Sequence, residues 1–194
     1  MVAIPRGGLP LGAAIAQSLE APLEVALTKK IGHPYNREFA IGAVSLEGEE
    51  VNAPARISPE YLEAETGRLR TSLRERQRMF YRNRTPISLK GRCVIVVDDG
   101  IATGNTLAIT IRLIASRKPS ELIVAIPVAP PAALRRIQAM PEVDRVVCLE
   151  VPEYFSAVGQ FYGDFRAVSD EEAIAIFQAG SLPEPRDLAR GSDT

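Results

Sequence analysis

Hydrophobic residues along this chain form short apolar runs that alternate with longer stretches in which apolar residues recur every three or four positions. The short runs predict buried strands at residues 2–4, 23–28, 94–97, 122–128 and 145–149. The longer stretches predict helices at residues 9–19, 58–81, 107–114, 131–140 and 169–180. Because strands and helices alternate, we expect an α/β fold with a mostly parallel twisted sheet and helices on both faces.

Three segments interrupt this alternation. Residues 29–52 are polar, with scattered glycine and proline and one strand-like run at 40–46, which is typical of a functional loop or lid. Residues 152–166 mix aromatic and polar positions. The segment from residue 181 is rich in Pro, Arg, Asp and Ser, which predicts a disordered tail. We therefore expect a single domain over residues 1–180 and a tail at 181–194.

The most informative segment is the strand at residues 94–97 with the loop that follows it. Two carboxylates, Asp98 and Asp99, stand at the end of the strand, and residues 102–106 read Ala-Thr-Gly-Asn-Thr before the next helix. Ligands of open α/β sheets bind at this edge. A helix start after small residues offers N–H groups to a phosphate, and paired carboxylates suit diol hydroxyls. Together they indicate a ribose 5-phosphate site. The alternative, in which Asp99 only caps the helix, needs one acid rather than two.

Two other loops are expected at the same edge. Right-handed crossovers place the loops after the first three predicted strands of the main sheet side by side. One of them contains Pro5-Arg6-Gly7-Gly8, in which two glycines let the backbone approach a ligand closely and the arginine adds positive charge. Another begins with Lys29-Lys30. Taken alone, the first segment predicts only a turn and the second only a solvated strand end. Both become candidate ligand-binding segments only because the acid pair is expected at the same edge.

Composition and charge narrow the classes of function. The chain has 194 residues, of which 46% are hydrophobic and 24% charged, and its formal net charge is −1. These values are ordinary for a globular protein and give no reason to expect binding to nucleic acid or a membrane. No apolar run approaches the length of a membrane span, and the first residues lack a signal-peptide pattern, so we expect a cytoplasmic protein. The only histidine is His33, and we expect Cys93 and Cys148 to be reduced core thiols. A structural zinc site and a Ser-His-Asp triad are thereby disfavoured.

Residues 94–106 resemble the phosphoribosyl pyrophosphate (PRPP) motif of the type I phosphoribosyltransferases: a hydrophobic strand, Asp-Asp, two spacers and Ala-Thr-Gly-Asn-Thr. Further stretches between residue 4 and about residue 172 are similar to a group of bacterial predicted phosphoribosyltransferases of undefined substrate. The resemblance implies a Rossmann-like core with a small hood at about residues 150–166, a mobile lid at about 31–50 and an inserted arginine-rich helix. Members of the group usually begin with a further helix and a longer first strand.

The resemblance implies a role for each loop. The 5-phosphate would be held by the loop after the acid pair: Ala102, Thr103, Gly104, Asn105 and Thr106. Asp98 and Asp99 would bind the ribose hydroxyls. Mg²⁺ would bridge these hydroxyls and the pyrophosphate, so the two carboxylates would hold it mostly indirectly. The pyrophosphate-binding residues would be Arg6, Gly7, Gly8, Lys29 and Lys30. In the family the first of these loops often contains a strained, sometimes cis, peptide bond, here near Arg6–Gly7.

On the acceptor side the resemblance is less specific. Ser45-Leu46-Glu47 is similar to a segment of the adenine enzymes whose glutamate assists proton transfer, which makes Glu47 a candidate catalytic residue. Lys29-Lys30 stands where these enzymes carry Arg-Lys-Lys-Gly, whose first lysine approaches the pyrophosphate, which makes Lys29 a second candidate. An exposed loop glutamate without chemistry is the alternative for Glu47. Ala102 stands where enzymes for hypoxanthine and guanine place an aspartate, which weakens a 6-oxopurine assignment. Four aromatic residues of the hood would stack on the acceptor or form a small satellite core: Tyr154, Phe155, Phe161 and Tyr162.

The expected function is that of an enzyme, a phosphoribosyltransferase of nucleotide metabolism. It would move the 5-phosphoribosyl group of PRPP to a nitrogen of a nucleobase or related heterocycle and release pyrophosphate. The resemblance also implies Mg²⁺ as cofactor and a homodimer, with the arginine-rich helix as an interface element.

One alternative is a PRPP-sensing regulatory or nucleic-acid-binding module, using the seven arginines between residues 68 and 84. Interleaved glutamates there favour a solvated or subunit-packed helix face instead. Another reaction on the same sugar phosphate, such as diphosphokinase or hydrolase chemistry, is the third possibility.

Overall fold

The computed structural model describes residues 1–51 and 57–180, apart from the side chain of Glu38. Its strands are β1 (Val2–Ala3), β2 (Glu24–Val25), β3 (Lys29–His33), β4 (Asn36–Val44), β5 (Glu49–Val51), β6 (Cys93–Val97), β7 (Glu121–Val128) and β8 (Arg145–Glu150). Its helices are α1 (Gly8–Ser18), α2 (Pro59–Tyr81), α3 (Asn105–Ala115), α4 (Pro131–Gln138) and α5 (Asp170–Gly180). A 3-10 helix covers Val158–Phe161. The predicted tail at 181–194 lies outside the described residues.

Five parallel strands form the central sheet in the order β2–β1–β6–β7–β8. On one face, Val96 and Val124 are buried in a core with Ile111 of α3 and Ile137 of α4. On the other face, Ala3 is buried in a second core with α1, the end of α2 and α5. The apolar positions alternate because successive side chains of a strand point to opposite faces of a sheet. The structure therefore confirms the predicted α/β fold with helices on both faces of a parallel sheet.

Helix α2 begins as the sequence predicts. Ser58 accepts a hydrogen bond on Oγ from the backbone N–H of Tyr61 at 3.2 Å, and Pro59 occupies the first turn, where a missing N–H costs nothing. The apolar stripe of this helix is buried at Leu69, Leu73 and Phe80. Several of its arginines meet acids of the same chain. Arg70 pairs with Glu49 at 2.9 Å, and Arg76 pairs with Asp170 at the same distance.

The segment predicted to be an irregular lid is a second sheet. Strands β3, β4 and β5 pair antiparallel across residues 29–51. Ile31, Ile41 and Val44 are buried against Leu69 and Leu73 of α2. These apolar positions are enough to build a sheet because α2 supplies the other half of their core. The strand-like run predicted at 40–46 overlaps β4 over residues 40–44. The prediction that the rest of this segment is irregular is wrong, because β3 and β5 pair with β4 on either side.

The two cysteines differ from expectation in burial. Both are free thiols, but Cys93 is exposed and Cys148 is only half-buried. The prediction of two buried core thiols is wrong for Cys93, because it is the first residue of β6 and lies at the end of the sheet. Among the helices of the described residues, none is both long and apolar enough to cross a lipid bilayer.

Candidate active site

The loops after β1 and β6 meet at one edge of the sheet. The two strands are parallel neighbours, with Ala3 opposite Val97, so the residues that follow them lie side by side. A Cβ atom built on Gly7 would lie 1.8 Å from Oδ2 of Asp99, and one on Gly8 would lie 2.6 Å from the carbonyl oxygen of Val97. Only glycine leaves room for this approach. The peptide bond between Pro5 and Arg6 is cis, one bond before the position that the resemblance indicated.

Asp98 and Asp99 form a carboxylate pair with unusual electrostatics. Oδ1 of Asp98 accepts a hydrogen bond from the backbone N–H of Asp99 at 3.0 Å. Burial is the main cause that raises the pKa of Asp98 to about 8, and the charge of the neighbouring Asp99 carboxylate is the second. Burial also raises the pKa of Asp99. Within the described part of the chain, neither acid forms an ion pair with a basic side chain. The pair therefore concentrates negative charge that a cation or hydroxyl donors would relieve.

The loop that follows opens onto the start of α3. Gly104 adopts a left-handed conformation with φ of 73°, and α3 begins at Asn105. Thr103 accepts a hydrogen bond on Oγ1 from the backbone N–H of Asn105 at 3.4 Å. Ala102, Thr103, Asn105 and Thr106 are exposed, whereas Leu107 is buried and anchors the helix. Apart from this contact of Thr103, no side chain of the described residues caps the start, which leaves the N–H groups of Thr106 and Leu107 for an anion.

Two cavities flank these loops. A cavity of about 530 Å³ lies between α3 and the small sheet, and its lining includes Lys29, Lys30, Thr103, Thr106, Arg112 and Arg136. A second, of about 470 Å³, lies beside the acid pair, and its lining includes Arg6, Gly7, Asp99, Tyr162, Asp164 and Arg166. Each cavity holds basic side chains next to the loops proposed for phosphate groups. The basic residues have local partners as well: Nζ of Lys29 donates to Oγ of Ser72 at 2.6 Å, and Arg6 lies 3.8 Å from Asp170.

The structure brings only one of the predicted hood aromatics to this edge. The hydroxyl of Tyr162 donates to the carbonyl oxygen of Asp99 at 2.5 Å. Burial is the main cause that raises the pKa of Tyr162 to about 12, and the negative charges of Asp99 and Asp98 add to it. Tyr154 is 90% exposed, and Phe155 stacks on Phe161 with ring centroids 5.7 Å apart. Tyr154 and Phe155 are thus apart from both cavities in the described structure, and the satellite-cluster alternative describes Phe155 better.

Glu47 lies far from the acid pair. It sits in the turn between β4 and β5 and pairs with Arg117, two residues beyond the end of α3. Since α3 starts beside the acid pair and has 11 residues, its far end is roughly 16 Å away along the helix axis. The structure does not bring Glu47 to the other candidate residues. The hairpin that carries Ser-Leu-Glu instead places Glu47 beside Arg117, at the far end of α3.

The sequence patterns missed several side chains at this edge. Arg136 of α4 donates hydrogen bonds to the carbonyl oxygen of Thr103 at 3.4 Å and to Oδ1 of Asn105. Asp164 and Arg166 line the cavity beside the acid pair. These residues follow strands outside the motif, and nothing in the spacing of the sequence separates them from ordinary surface charges. Only the packing of α4 and of the segment after β8 brings them here.

Comparison with known proteins agrees with this geometry. The family model of the phosphoribosyl transferase domain matches residues 1–164. A predicted phosphoribosyl transferase of Mycobacterium tuberculosis is 34% identical over 181 residues, which cover 91% of this chain. The chain spans 40% of the length of that curated relative. The crystal structure of the protein TT1426 from Thermus thermophilus superposes with a TM-score of 0.81 at 38% identity, covering 93% of this chain and 87% of that one. The chain therefore belongs to the phosphoribosyl transferase domain family.

Proposed function

We propose that this protein transfers the 5-phosphoribosyl group of PRPP to a nitrogen of a nucleobase or related heterocycle and releases pyrophosphate. One observation carries the proposal: the Arg6–Gly8 loop touches Asp99, beside a helix start that is open to an anion. PRPP carries a pyrophosphate at one end of its ribose and a phosphate at the other. Its binding site therefore needs a pyrophosphate loop, an acid for the ribose hydroxyls and an open helix start within the length of one small molecule. Membership of the family supports the same reaction class.

Each part of the site has a physical task in this reaction. Thr103, Thr106 and the first-turn N–H groups of α3 would hold the 5-phosphate. Asp98 and Asp99 would accept hydrogen bonds from the ribose hydroxyls and stabilise positive charge that develops on the sugar as the leaving group departs. Gly7 lets the backbone approach the pyrophosphate, and Arg6 and Lys29 would balance its negative charge. Fixing both ends of PRPP orients the sugar for attack by the acceptor nitrogen.

We propose Mg²⁺ as the cofactor because the acid pair suits it. Two adjacent, partly buried carboxylates with raised pKa values lack a basic partner among the described residues, and Mg²⁺ prefers oxygen ligands with only one or two carboxylates. When bound, the ion would screen the charge of the pyrophosphate. Asp98 and Asp99 would hold it mainly through hydroxyl groups and water.

The acceptor would bind in the second cavity, beside the acid pair. The second cavity combines the rings of Tyr162 and Phe165 with Asp164 and Arg166, a mixture that fits a flat polar heterocycle. Ala102 cannot exchange a proton with the acceptor, which continues to weigh against a 6-oxopurine. Family resemblance is the ground on which we extend the proposal to a homodimer that works in cytoplasmic nucleotide metabolism.

The alternative of a nucleic-acid-binding regulator receives less support. Arg68, Arg70 and Arg76 of α2 pair with acids of the same chain, which removes part of the free positive charge that such a surface would need. A PRPP sensor without this surface would bind the same ligand at the same site.

A panel assay separates these functions. The protein would be incubated with PRPP, Mg²⁺ and single bases, adenine included, and pyrophosphate release would be measured beside an Asp98→Asn/Asp99→Asn variant. We expect release that depends on one base and disappears in the variant. Saturable PRPP binding without release would favour a sensor or an acceptor outside the panel. Absence of PRPP binding would contradict the assignment of the site.

A further inference from the structure

Helix α4 contacts residues 103–105, the loop before α3, through one apolar and one basic side chain. A Cβ on Gly104 would lie 3.4 Å from Cδ1 of Ile137, so this residue packs directly against the loop. The preceding residue, Arg136, reaches the same loop with Nη1, which donates to the carbonyl oxygen of Thr103 at 3.4 Å and to Oδ1 of Asn105. An apolar contact and two polar contacts thus fix residues 103–105 against α4.

The contact with Asn105 matters because of where Asn105 stands. It is the first residue of α3, and asparagine side chains near helix starts readily accept hydrogen bonds from nearby backbone N–H groups. An Oδ1 atom turned onto the first turn would occupy donors that a phosphate needs. In the structure Oδ1 accepts from Arg136 instead. The N–H groups of Thr106 and Leu107 consequently stay available, while that of Asn105 donates to Oγ1 of Thr103.

The guanidinium also contributes charge. Arg136 lines the cavity that contains Thr103, Asn105 and Thr106, so its positive charge lies beside the open helix start. A guanidinium presents five N–H donors in a fixed plane, and two contacts to the loop leave others for a phosphate oxygen. The same side chain can therefore order the loop and attract its ligand.

We propose that Arg136 is the positioning residue of the 5-phosphate site. It keeps Asn105 and Thr103 in the arrangement that leaves the N–H groups of Thr106 and Leu107 in the first turn of α3 open to a sugar phosphate. The inference rests on the proposed function only in taking a ribose 5-phosphate group as the ligand. It concerns a residue outside the sequence motif and outside the acid pair.

The chain contains a matched control in the adjacent residue. Arg135 lies on the same helix, is exposed like Arg136, and its guanidinium makes no hydrogen bond or ion pair with a described residue. Replacing either arginine by methionine removes one positive charge and the guanidinium donors but keeps an unbranched apolar stem. The difference between the two variants isolates the contact with the loop from the general effect of charge.

Titration calorimetry with two partial ligands tests the proposal on the full chain. Ribose 5-phosphate probes the helix start, and pyrophosphate with Mg²⁺ probes the loop at Arg6–Gly8. We expect Arg136→Met to weaken ribose 5-phosphate binding about tenfold, as expected for one charge-assisted contact, and to change pyrophosphate binding less than about twofold. Arg135→Met should leave both affinities unchanged. Arg136→Lys should recover part of the loss, and Arg136→Met should cost less when Asn105 is already alanine.

Each contrary result has a definite meaning. Unchanged ribose 5-phosphate binding in Arg136→Met overturns the proposal, and so does an equal loss in Arg135→Met. A parallel loss of both ligands with a lowered melting temperature assigns Arg136 a general structural role and also overturns it. If the unaltered protein binds ribose 5-phosphate but releases no pyrophosphate from PRPP with any base, the proposed function fails while the titrations still decide on Arg136. If it does not bind ribose 5-phosphate, both proposals fail.

Discussion

At Gly7 the chain passes so close to Asp99 that no side chain fits between them. The 1.8 Å separation between a built Cβ and Oδ2 of Asp99 is far below any van der Waals contact. Asp99 is held on its other side by the hydroxyl of Tyr162, which donates to its carbonyl oxygen. A methyl group at residue 7 would therefore displace the acid pair or the loop, or both.

We expect Gly7→Ala to lower the rate of pyrophosphate release about a hundredfold, because displacing a reacting group by about 1 Å has an effect of that size. Gly67→Ala is the control: its Cβ would meet nothing within 4 Å in the middle of α2. That variant should keep full activity and gain up to about 1 kcal/mol of stability, since alanine favours helix interiors. Near-normal activity of a folded Gly7→Ala protein would contradict the contact.

The raised pKa of Asp98 predicts a pH dependence of stability. Since its folded-state pKa is about 8 and that of an unfolded aspartate is about 3.9, the folded state binds more protons between these values. Asp98 therefore makes the free energy of unfolding fall as pH rises through this window, by at most about 1.4 kcal/mol per pH unit. Buried Glu24, whose pKa is also raised, adds a slope of the same sign.

Urea unfolding of the protein and its Asp98→Asn variant between pH 5 and pH 8 checks this prediction. The variant should gain stability relative to the unaltered protein as pH rises, while the contribution of Glu24 cancels in the comparison. A constant difference between the two proteins across this range would show that Asp98 titrates normally.

At the scale of elements, three glutamates attach the small sheet to the helices. Glu47 pairs with Arg117, Glu49 with Arg70, and Glu50 with Arg112 at 2.5 Å. The last pair lies at the cavity between α3 and the sheet, where both of its residues contribute to the lining. These pairs bear directly on whether the sheet moves as the predicted lid, because opening must break them.

We expect Glu50→Gln to loosen the sheet slightly. A partly exposed ion pair contributes about 0.5–1 kcal/mol, so amide hydrogen exchange in β4 and β5 should become about two- to fivefold faster at low salt. The difference should shrink at high ionic strength. Glu63→Gln, at an exposed position of α2, serves as the control. Equal exchange rates in Glu50→Gln and the unaltered protein would show that this pair does not restrain the sheet.

At the scale of the whole molecule, α5 closes one of the two main cores although it follows the segment matched by the family model. Phe177 is 1% exposed and meets the rings of Phe80 and Tyr81 at centroid distances of 5.7 and 4.9 Å. Helix α5 thereby joins the end of α2 to α1 behind the Arg6–Gly8 loop. Its first residue, Asp170, also forms an ion pair with Arg76 of α2.

We expect Phe177→Ala to lower the free energy of unfolding by about 3–5 kcal/mol, the usual cost of removing a large ring from a core. Leu19→Ala, at a position that is 56% exposed, should cost less than about 0.5 kcal/mol. Urea unfolding measures both. A loss below about 1 kcal/mol for Phe177→Ala would mean that α5 is not part of the cooperative core.

Much of this architecture follows from local sequence. The period of the apolar positions determined the alternation of strands and helices, because a strand repeats every two residues and a helix every 3.6. The topology of a parallel sheet then brought the ends of β1 and β6 to one edge, so the sequence predicted that the loops with Pro5-Arg6-Gly7-Gly8 and Asp98-Asp99 lie side by side, while the contact of Gly7 with Asp99 came from the structure.

Tertiary structure decided the rest. Glu47 turned away from the site because strands β4 and β5 pair antiparallel and carry their turn to the far end of α3. Arg136 reached Asn105, 31 residues earlier in the chain, only because α4 and α3 cover the same face of the sheet. Local propensity carries no information about such contacts, since they depend on how complete elements pack. The sequence by itself determined the elements of the central sheet and the motif, and packing determined the small sheet at residues 29–51 and which side chains surround the motif.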